Sequence, residues 1–344
     1  MKPHSTHTIA KYFIWGTIIF SVLTACDSHP ESNAGVDNRP LINVGRLICG
    51  GHLSLAIVEK KYRDRITSFK LNTVQNHDWD DVVDDIKSGK LIGSFILSPL
   101  AMKLISDGFP GKIVLKADIN GNGFILSNRI DRIEDLALQK SIIAVPHEYS
   151  QHHVLLHLLL KQHDVNSENI KIISMPPRDM INALRDGEID GFLVGEPEGN
   201  RAVSMGIGWL ASTSPDIWKN HMDHVFMVSN EFIDKQPEKL QELINYLVMG
   251  GRYIEDHPHE SAQLGEAYTG ASATVFEEVL TSPSDWISFA DMLVTDSDLI
   301  DMRTHLVDMG LMPVIAENQL NTFADMRYVK RAVIAMAKQG EYEN

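Results

Sequence analysis

A two-lobed α/β architecture built around a ligand cleft, with a helical C-terminal part, is what this 344-residue sequence predicts. Three observations carry that expectation. Short apolar runs alternate with amphipathic helical patterns, as in βα units. The alternation comes in two successive blocks, and the pattern beyond Asn230 turns mostly helical. Asp190-Gly191-Phe192-Leu193-Val194-Gly195-Glu196-Pro197 reads as a strand running straight into a ligand-facing turn.

In chain order, Leu41 to Leu47 reads as a strand, His52 to Tyr62 as a helix, and Ser68 to Val74 as a second strand. Trp79 to Ser88 is predicted helical, with Val82, Val83 and Ile86 inside and Gly89 ending it. Leu91 to Leu97 is a third strand, and Ile113 to Ile119 and Phe124 to Ser127 flank the Asn-Gly turns. A second unit begins near Ile130. Its strands are Ile142 to Val145, Ile170 to Ser174 and Phe192 to Val194. Its helices are Ser150 to Lys161, capped by Ser150, and Arg178 to Arg185, stopped by Gly187. Val225 to Val228 then returns to the first unit. The expected division is lobe 1 over 41–127, lobe 2 over 128–224, and the lobe 1 return with C-terminal helices over 225–344.

The first residues obey different rules. Lys2 and Lys11 are the only charges before Cys26, and Tyr12 to Leu23 is almost wholly apolar. That run is shorter than the roughly 20 residues a membrane span needs. It reads as a removable signal over 1–25. Leu23-Thr24-Ala25-Cys26 resembles a lipobox, so Cys26 is the expected lipidation site and the inner membrane an expected partner through that anchor. Residues 26–40 are polar, with Pro and Gly, and read as a flexible tether.

Of 31 basic residues, two fall in the removed segment, which holds no acid. The mature chain therefore carries 29 basic and 46 acidic residues, a formal charge of −17. Such a surface excludes nucleic acid as a partner class, while a pocket still sets its own local field. With Cys26 acylated, Cys49 stands alone and reads as a small buried hydrophobe. No CxxC pair, P-loop or GxGxxG is present, and no cofactor is implied.

Several stretches together resemble a known family. They are HDWDDVVDDIKSGKL with Trp79, Leu97-Ser98-Pro99, INGNGFILSN, MPPRDMINALRDGEIDGFLVGEPEGNRAV and IWKNHMDHVFMVSNEFIDKQP. The chain resembles the periplasmic solute-binding proteins of ABC importers for nitrate, bicarbonate, sulfonates and taurine, most nearly the nitrate and bicarbonate branch. The resemblance implies a type II periplasmic-binding-protein fold, a non-catalytic receptor, a small-molecule or anion ligand and ABC permease subunits as partners. It maps the family's indole onto Trp79, its amide onto Asn122 and its His onto His152. The family's Lys falls near His224, so a titratable cation replaces a fixed one. His147 stands for a small residue, His52 for a proline and Glu198 for a tryptophan. These departures imply a re-tooled pocket.

The residues themselves leave alternatives open. His152 lies on the apolar side of a helix's first turn, beside free N–H groups that favour anions; a packed, carbonyl-bonded imidazole is the other reading. Trp79 walls a ligand or caps a helix against the core. Asn122 offers its amide or takes a left-handed turn, and Ser98 lines a strand exit. His153 and His157, at i,i+4, form a metal pair or a solvated face. Glu196 caps the following helix or holds a cation. His52, His147, His152 and His224, with Glu198, could together hold a transition metal or metal complex. A sensor subunit is a further alternative to a transport receptor. If His152 and His224 carry anion binding, affinity is expected to fall as pH rises through the imidazole range, near 6.5.

Overall fold

The computed structural model describes residues 37–342. The expected signal, Cys26 and the tether as far as residue 36 lie outside the described residues. Twelve strands are described: β1 (Leu41–Arg46), β2 (Lys70–Gln75), β3 (Gly93–Leu97), β4 (Gly111–Lys116), β5 (Ile119–Asn120), β6 (Asn122–Ser127), β7 (Ser141–Val145), β8 (Ile170–Ser174), β9 (Gly191–Gly195), β10 (Gly208–Thr213), β11 (His224–Ser229) and β12 (Ile287–Ser288). They form two five-stranded sheets, in the orders β2-β1-β3-β11-β4 and β10-β6-β9-β7-β8, and a short β12-β5 ribbon. In the first sheet β1 runs parallel to β2 and β3, and β11 antiparallel to β3 and β4. The second repeats the plan: β7 is parallel to β8 and β9, and β6 antiparallel to β9 and β10. This is the mixed α/β fold expected.

The strands read as continuous apolar runs because both faces of each sheet are covered. Alternate residues face opposite sides. Phe124, Leu126 and Leu193 pack in one cluster, while Ile125, Phe192 and Val194 pack in the other. The first sheet divides likewise, with Phe95, Phe226 and Val228 on one side and Ile96, Val225 and Met227 on the other. Phe124–Ser127, expected in lobe 1, lies in the second sheet, because β6 pairs with β9 and β10. Asn120 and Gly121, with φ of 63° and 82°, turn the chain just before it. That left-handed pair, not Asn122, supplies the turn.

Four helices position the site: α1 (Leu53–Ile57), α2 (Trp79–Lys87), α3 (Ser98–Ser106) and α4 (Gln151–Gln162). Asp78 caps α2 by accepting from the Asp81 amide at 2.9 Å. Ser150 caps α4 by accepting from the His153 amide at 3.1 Å. Next come α5 (Pro177–Asp186), ended by left-handed Gly187, and α6 (Glu198–Ser204). The single helix expected over His52 to Tyr62 is instead a 3-10 turn (Gly50–His52), α1, and a π turn (Val58–Tyr62). The tight first turn follows from a close approach. The Gly50 amide donates to the Glu196 carbonyl at 3.1 Å, and a Cβ on Gly51 would strike Asp118 and the His224 ring.

The fully buried Phe226 ring sits 5.2 Å from that of Phe95. Phe226→Ala is expected to cost about 3–5 kcal/mol. Val314→Ala, at a residue 82% exposed, should change stability by no more than about 0.5 kcal/mol. Urea denaturation followed by tryptophan fluorescence checks both.

Candidate binding site

A cavity of about 150 Å³ opens where the chain leaves five parallel strands. Its lining includes Cys49 after β1, His77 after β2, Pro146 after β7, Pro176 after β8 and Glu196 after β9. The carboxyl ends of strands are where open α/β sheets leave backbone groups and helix N-termini free for a ligand. Trp79, at the start of α2, and His152, in the first turn of α4, complete the wall with His224 and Glu198.

His224 lies at the bottom, 1% exposed. Its Nδ1 is 3.2 Å from Asp118 Oδ1 and 3.2 Å from Asp223 Oδ2, and its amide donates to Asp118 Oδ1 at 2.9 Å. Burial opposes a charge there, yet the adjacent Asp223 and Cys49 and then Asp118 lift the imidazole pKa well above its ordinary value. Burial pushes the Asp223 carboxyl up, while the His224 charge pulls it back. The Trp79 ring stacks on His224 at 5.8 Å and 28°, and its Nε1 has no hydrogen-bond partner among the described residues.

Two further imidazoles are held neutral. Burial, then repulsion from His224, puts His52 well below its usual pKa, and the same causes act on His152. The His52 ring stands edge-on to His224, with centroids 5.0 Å apart. Its Nδ1 lies 3.1 Å from the Leu47 carbonyl oxygen and 3.2 Å from the Leu47 amide, while Nε2 has no partner among the described residues. Neither ring nitrogen of His152 has one. A Cβ on Gly195 would stand 3.7 Å from each of Asn122 Oδ1, Cys49 Sγ and His152 Nε2. The bare backbone there leaves three heteroatoms facing one space. Asn122 Nδ2 lies 3.0 Å from the Asn120 carbonyl and 3.1 Å from His221 Nε2. Burial takes His221 down to about 4.

Trp79, His152, His224 and Glu198 line the cavity; His52 and Asn122 are fully buried just behind the lining, His52 against the Trp79 and His224 rings and Asn122 beside Gly195, and two expected residues stand further aside. The buried Ser98 hydroxyl donates to the Met222 carbonyl at 3.0 Å and does not line the cavity. It clamps the chain just before His224. His147 also lies off the lining; its Nδ1 accepts from the Tyr149 amide at 2.9 Å, and its Nε2 is 3.6 Å from Asp80. Glu198 is half-buried and 3.5 Å from Arg201. On α4, His157 and Lys161 are exposed and His153 half-exposed, a solvated stripe.

Cys49 overturns the reading of a small buried hydrophobe. It is only half-buried, lines the cavity, and its Sγ lies 3.6 Å from His224 Nε2. The signal was present as Cys49-Gly50-Gly51-His52, a Cys three residues before a His. Asp118 and Asp223 carried none beyond the adjacency of Asp223 to His224. The anticipated loss of affinity near pH 6.5 no longer follows, because burial and partners move His152 down and His224 up, away from that range.

Glu196 caps α6: its Oε2 accepts from the Asn200 amide at 2.8 Å. Burial, helped by Glu198 and Glu278 against the Asn200 and Gly199 amides, raises its pKa from 4.5 to about 8. Between those values the unfolded chain has released a proton that the fold retains, so stability falls as pH rises through this window. Glu196→Gln, which mimics the neutral acid, is expected to flatten that slope. Urea midpoints of both proteins across the window measure it, and parallel curves would refute a neutral Glu196.

The NMT1-like family model matches residues 38–266. The nitrate import ATP-binding protein NrtC of Synechocystis sp. is 29% identical over 208 residues, which are 55% of this chain and 31% of that protein. The chain thus spans about a third of the length of the first curated relatives it matches. The ligand-binding component of an ABC-type import system from Staphylococcus aureus, solved with zinc bound, superposes with a TM-score of 0.77 at 23% identity, covering 86% of this chain and 99% of that one. The periplasmic nitrate-binding protein NrtA from Synechocystis PCC 6803 gives a TM-score of 0.79 at 17% identity, covering 87% and 89%. These likenesses fix the fold as that of periplasmic binding proteins.

Proposed function

This chain belongs to the NMT1-like family, and on that footing we propose that it is a non-catalytic receptor of an ABC importer, held outside the inner membrane through lipid on Cys26. The observation that carries the reading is a small cavity at the carboxyl ends of both sheets' parallel strands, walled by buried, unpartnered polar atoms. Such atoms are costly unless a guest satisfies them. Lobes built on the first five-stranded sheet, which includes β11, and on the second, which includes β6, would close on the guest by a hinge and dock on permease subunits.

For the guest itself, a small anion of the nitrate, bicarbonate or sulfonate type is supported by the nitrate-import relative, by the charge on His224 and by the N-termini of α2, α4 and α5 at the cavity. A cavity of about 150 Å³ suits a solute of a few heavy atoms. A second reading, a transition metal or its complex, is favoured by Cys49 and two imidazoles beside the same space. A sensing role would use the same site and a different membrane partner.

A true ligand at a hundred times its dissociation constant adds about 2.7 kcal/mol of stability. A thermal-shift screen of nitrate, nitrite, bicarbonate, sulfonates, phosphonates and divalent metals should yield one class that raises the melting temperature in the parent and not in Trp79→Ala. No shift from any class would count against the receptor reading. Cys26→Ala is expected to move the protein from the membrane to the soluble fraction; continued membrane attachment would sink the lipid anchor.

A further inference from the structure

Cys49, His52 and His224 place Sγ and two ring nitrogens within 4.8 Å of one another. The bound is somewhat wider than the ligand separation around one ion, so metal binding would draw the three together. Metal–sulfur and metal–imidazole bonds are roughly 2.3 and 2.0 Å long, so ligand atoms around one ion stand about 3–4 Å apart. Cys49 Sγ and His224 Nε2 are already 3.6 Å apart.

How each imidazole is held matters more than the distance. A His that binds metal through Nε2 characteristically donates Nδ1–H to a carboxylate or a backbone carbonyl, which fixes the tautomer and aims the lone pair. His224 has two carboxylates, Asp118 and Asp223, at its Nδ1. His52 has the Leu47 carbonyl at 3.1 Å from its Nδ1. With the Leu47 carbonyl and amide both at His52 Nδ1 and the carboxylates at His224 Nδ1, Nε2 is the nitrogen each ring has left for a metal. His52 Nε2 is fully buried and has no hydrogen-bond partner among the described residues. Burying an imidazole nitrogen with nothing to bond is unfavourable unless a guest satisfies it.

The charges agree. Asp118 Oδ2 and Asp223 Oδ1 are also buried and unpartnered among the described residues, under 2% exposed as whole residues. Two carboxylates at Nδ1 of the His224 ring and a cysteine at its Nε2 suit a cation better than a second anion. Thiolate with imidazole selects a borderline-soft d-block ion over Mg²⁺ or Ca²⁺, which take oxygen ligands.

We infer that Cys49 Sγ, His52 Nε2 and His224 Nε2 form a three-ligand site for a thiophilic transition-metal ion of the Zn²⁺ or Cu class, oriented by Asp118, Asp223 and the Leu47 carbonyl. Cys49 and His224 line the cavity, so the open coordination position faces it, with His152 and Asn122 across the space above Gly195. A three-ligand site of this kind keeps a position for an exogenous ligand. A small anion bound there would complete the shell. This rests on the receptor reading and names what that cavity holds first.

The test uses the full chain, reduced and stripped with a chelator, titrated with Co²⁺ while absorption is recorded. Zn²⁺ is then followed by calorimetry. One Co²⁺ per chain, with a thiolate-to-cobalt charge-transfer band and displacement by Zn²⁺, is the expected result. Cys49→Ser should abolish the band, and it and His52→Gln should each weaken Zn²⁺ binding by more than the roughly 10–100-fold that losing an outer partner causes. Asp118→Asn should weaken binding within that range while keeping the band. Circular dichroism confirms folding, with Cys49→Ala as the second variant at that position. Binding that survives unchanged in Cys49→Ser would overturn the assignment. So would rapid alkylation of Cys49 with no metal uptake, which would mark a reactive thiol beside a histidine instead. If metal fails while nitrate, bicarbonate or a sulfonate still raises the melting temperature, the metal site falls and the receptor stands; if every solute fails as well, both fall.

Discussion

One buried imidazole held between two carboxylates governs this molecule. His224 begins β11, the strand by which the chain returns to the first sheet. Its two carboxylate partners come from the segment leaving β4 and from the residue just before β11. Backbone bonds tie the same residues again: the Ala117 amide donates to the His224 carbonyl at 2.9 Å, and the Asp223 amide to the Asp118 carbonyl at 3.3 Å. The ion cluster is thus also the knot that holds two passages of the chain together. Deleting one member would leave a buried charge unbalanced, an outcome that typically costs about 3–5 kcal/mol.

Part of the cavity wall is positioned relative to that knot. The 3-10 turn over Gly50–His52 packs against it, because only glycine at 51 lets the turn come that close. Trp79 stacks on the ring from above, and the carbonyl of Glu196 receives the Gly50 amide from the other sheet's side. Contacts of this kind join the two sheets at the cavity, so a guest that bonds Cys49 or His52 below and His152 or Asn122 above touches elements of both. That is the mechanical requirement for a receptor whose closure depends on its ligand.

Much of this was readable in advance, and unevenly. The amphipathic period of Trp79–Lys87, the Ser150 cap and the Gly187 stop each follow from local chemistry, and each stands where expected. Trp79, His152, His224 and Glu198 came from likeness to a family and line one cavity, while His52 and Asn122, from the same likeness, lie buried just behind its wall. Ser98 and His147 came from the same likeness and do not. A hydroxyl one residue from a strand end points wherever its hydrogen bond lies, and for Ser98 that is a carbonyl far along the chain at Met222. Cys49 was misread for a related reason: composition describes a lone thiol, whereas its neighbour across the site is 175 residues away.

Local pattern was enough to establish most strands and helices, several caps and the doubled α/β plan, because side-chain periodicity and end chemistry act over a few residues; it missed the edge strand β10 and helix α3. Which protons the histidines hold, and which atoms face the same few ångströms, could be decided only once strands distant in sequence were paired. Burial and Coulomb forces act through space, and pairing β11 into the first sheet brings Asp118 and Cys49, distant in sequence, to the ring that Asp223 already adjoins.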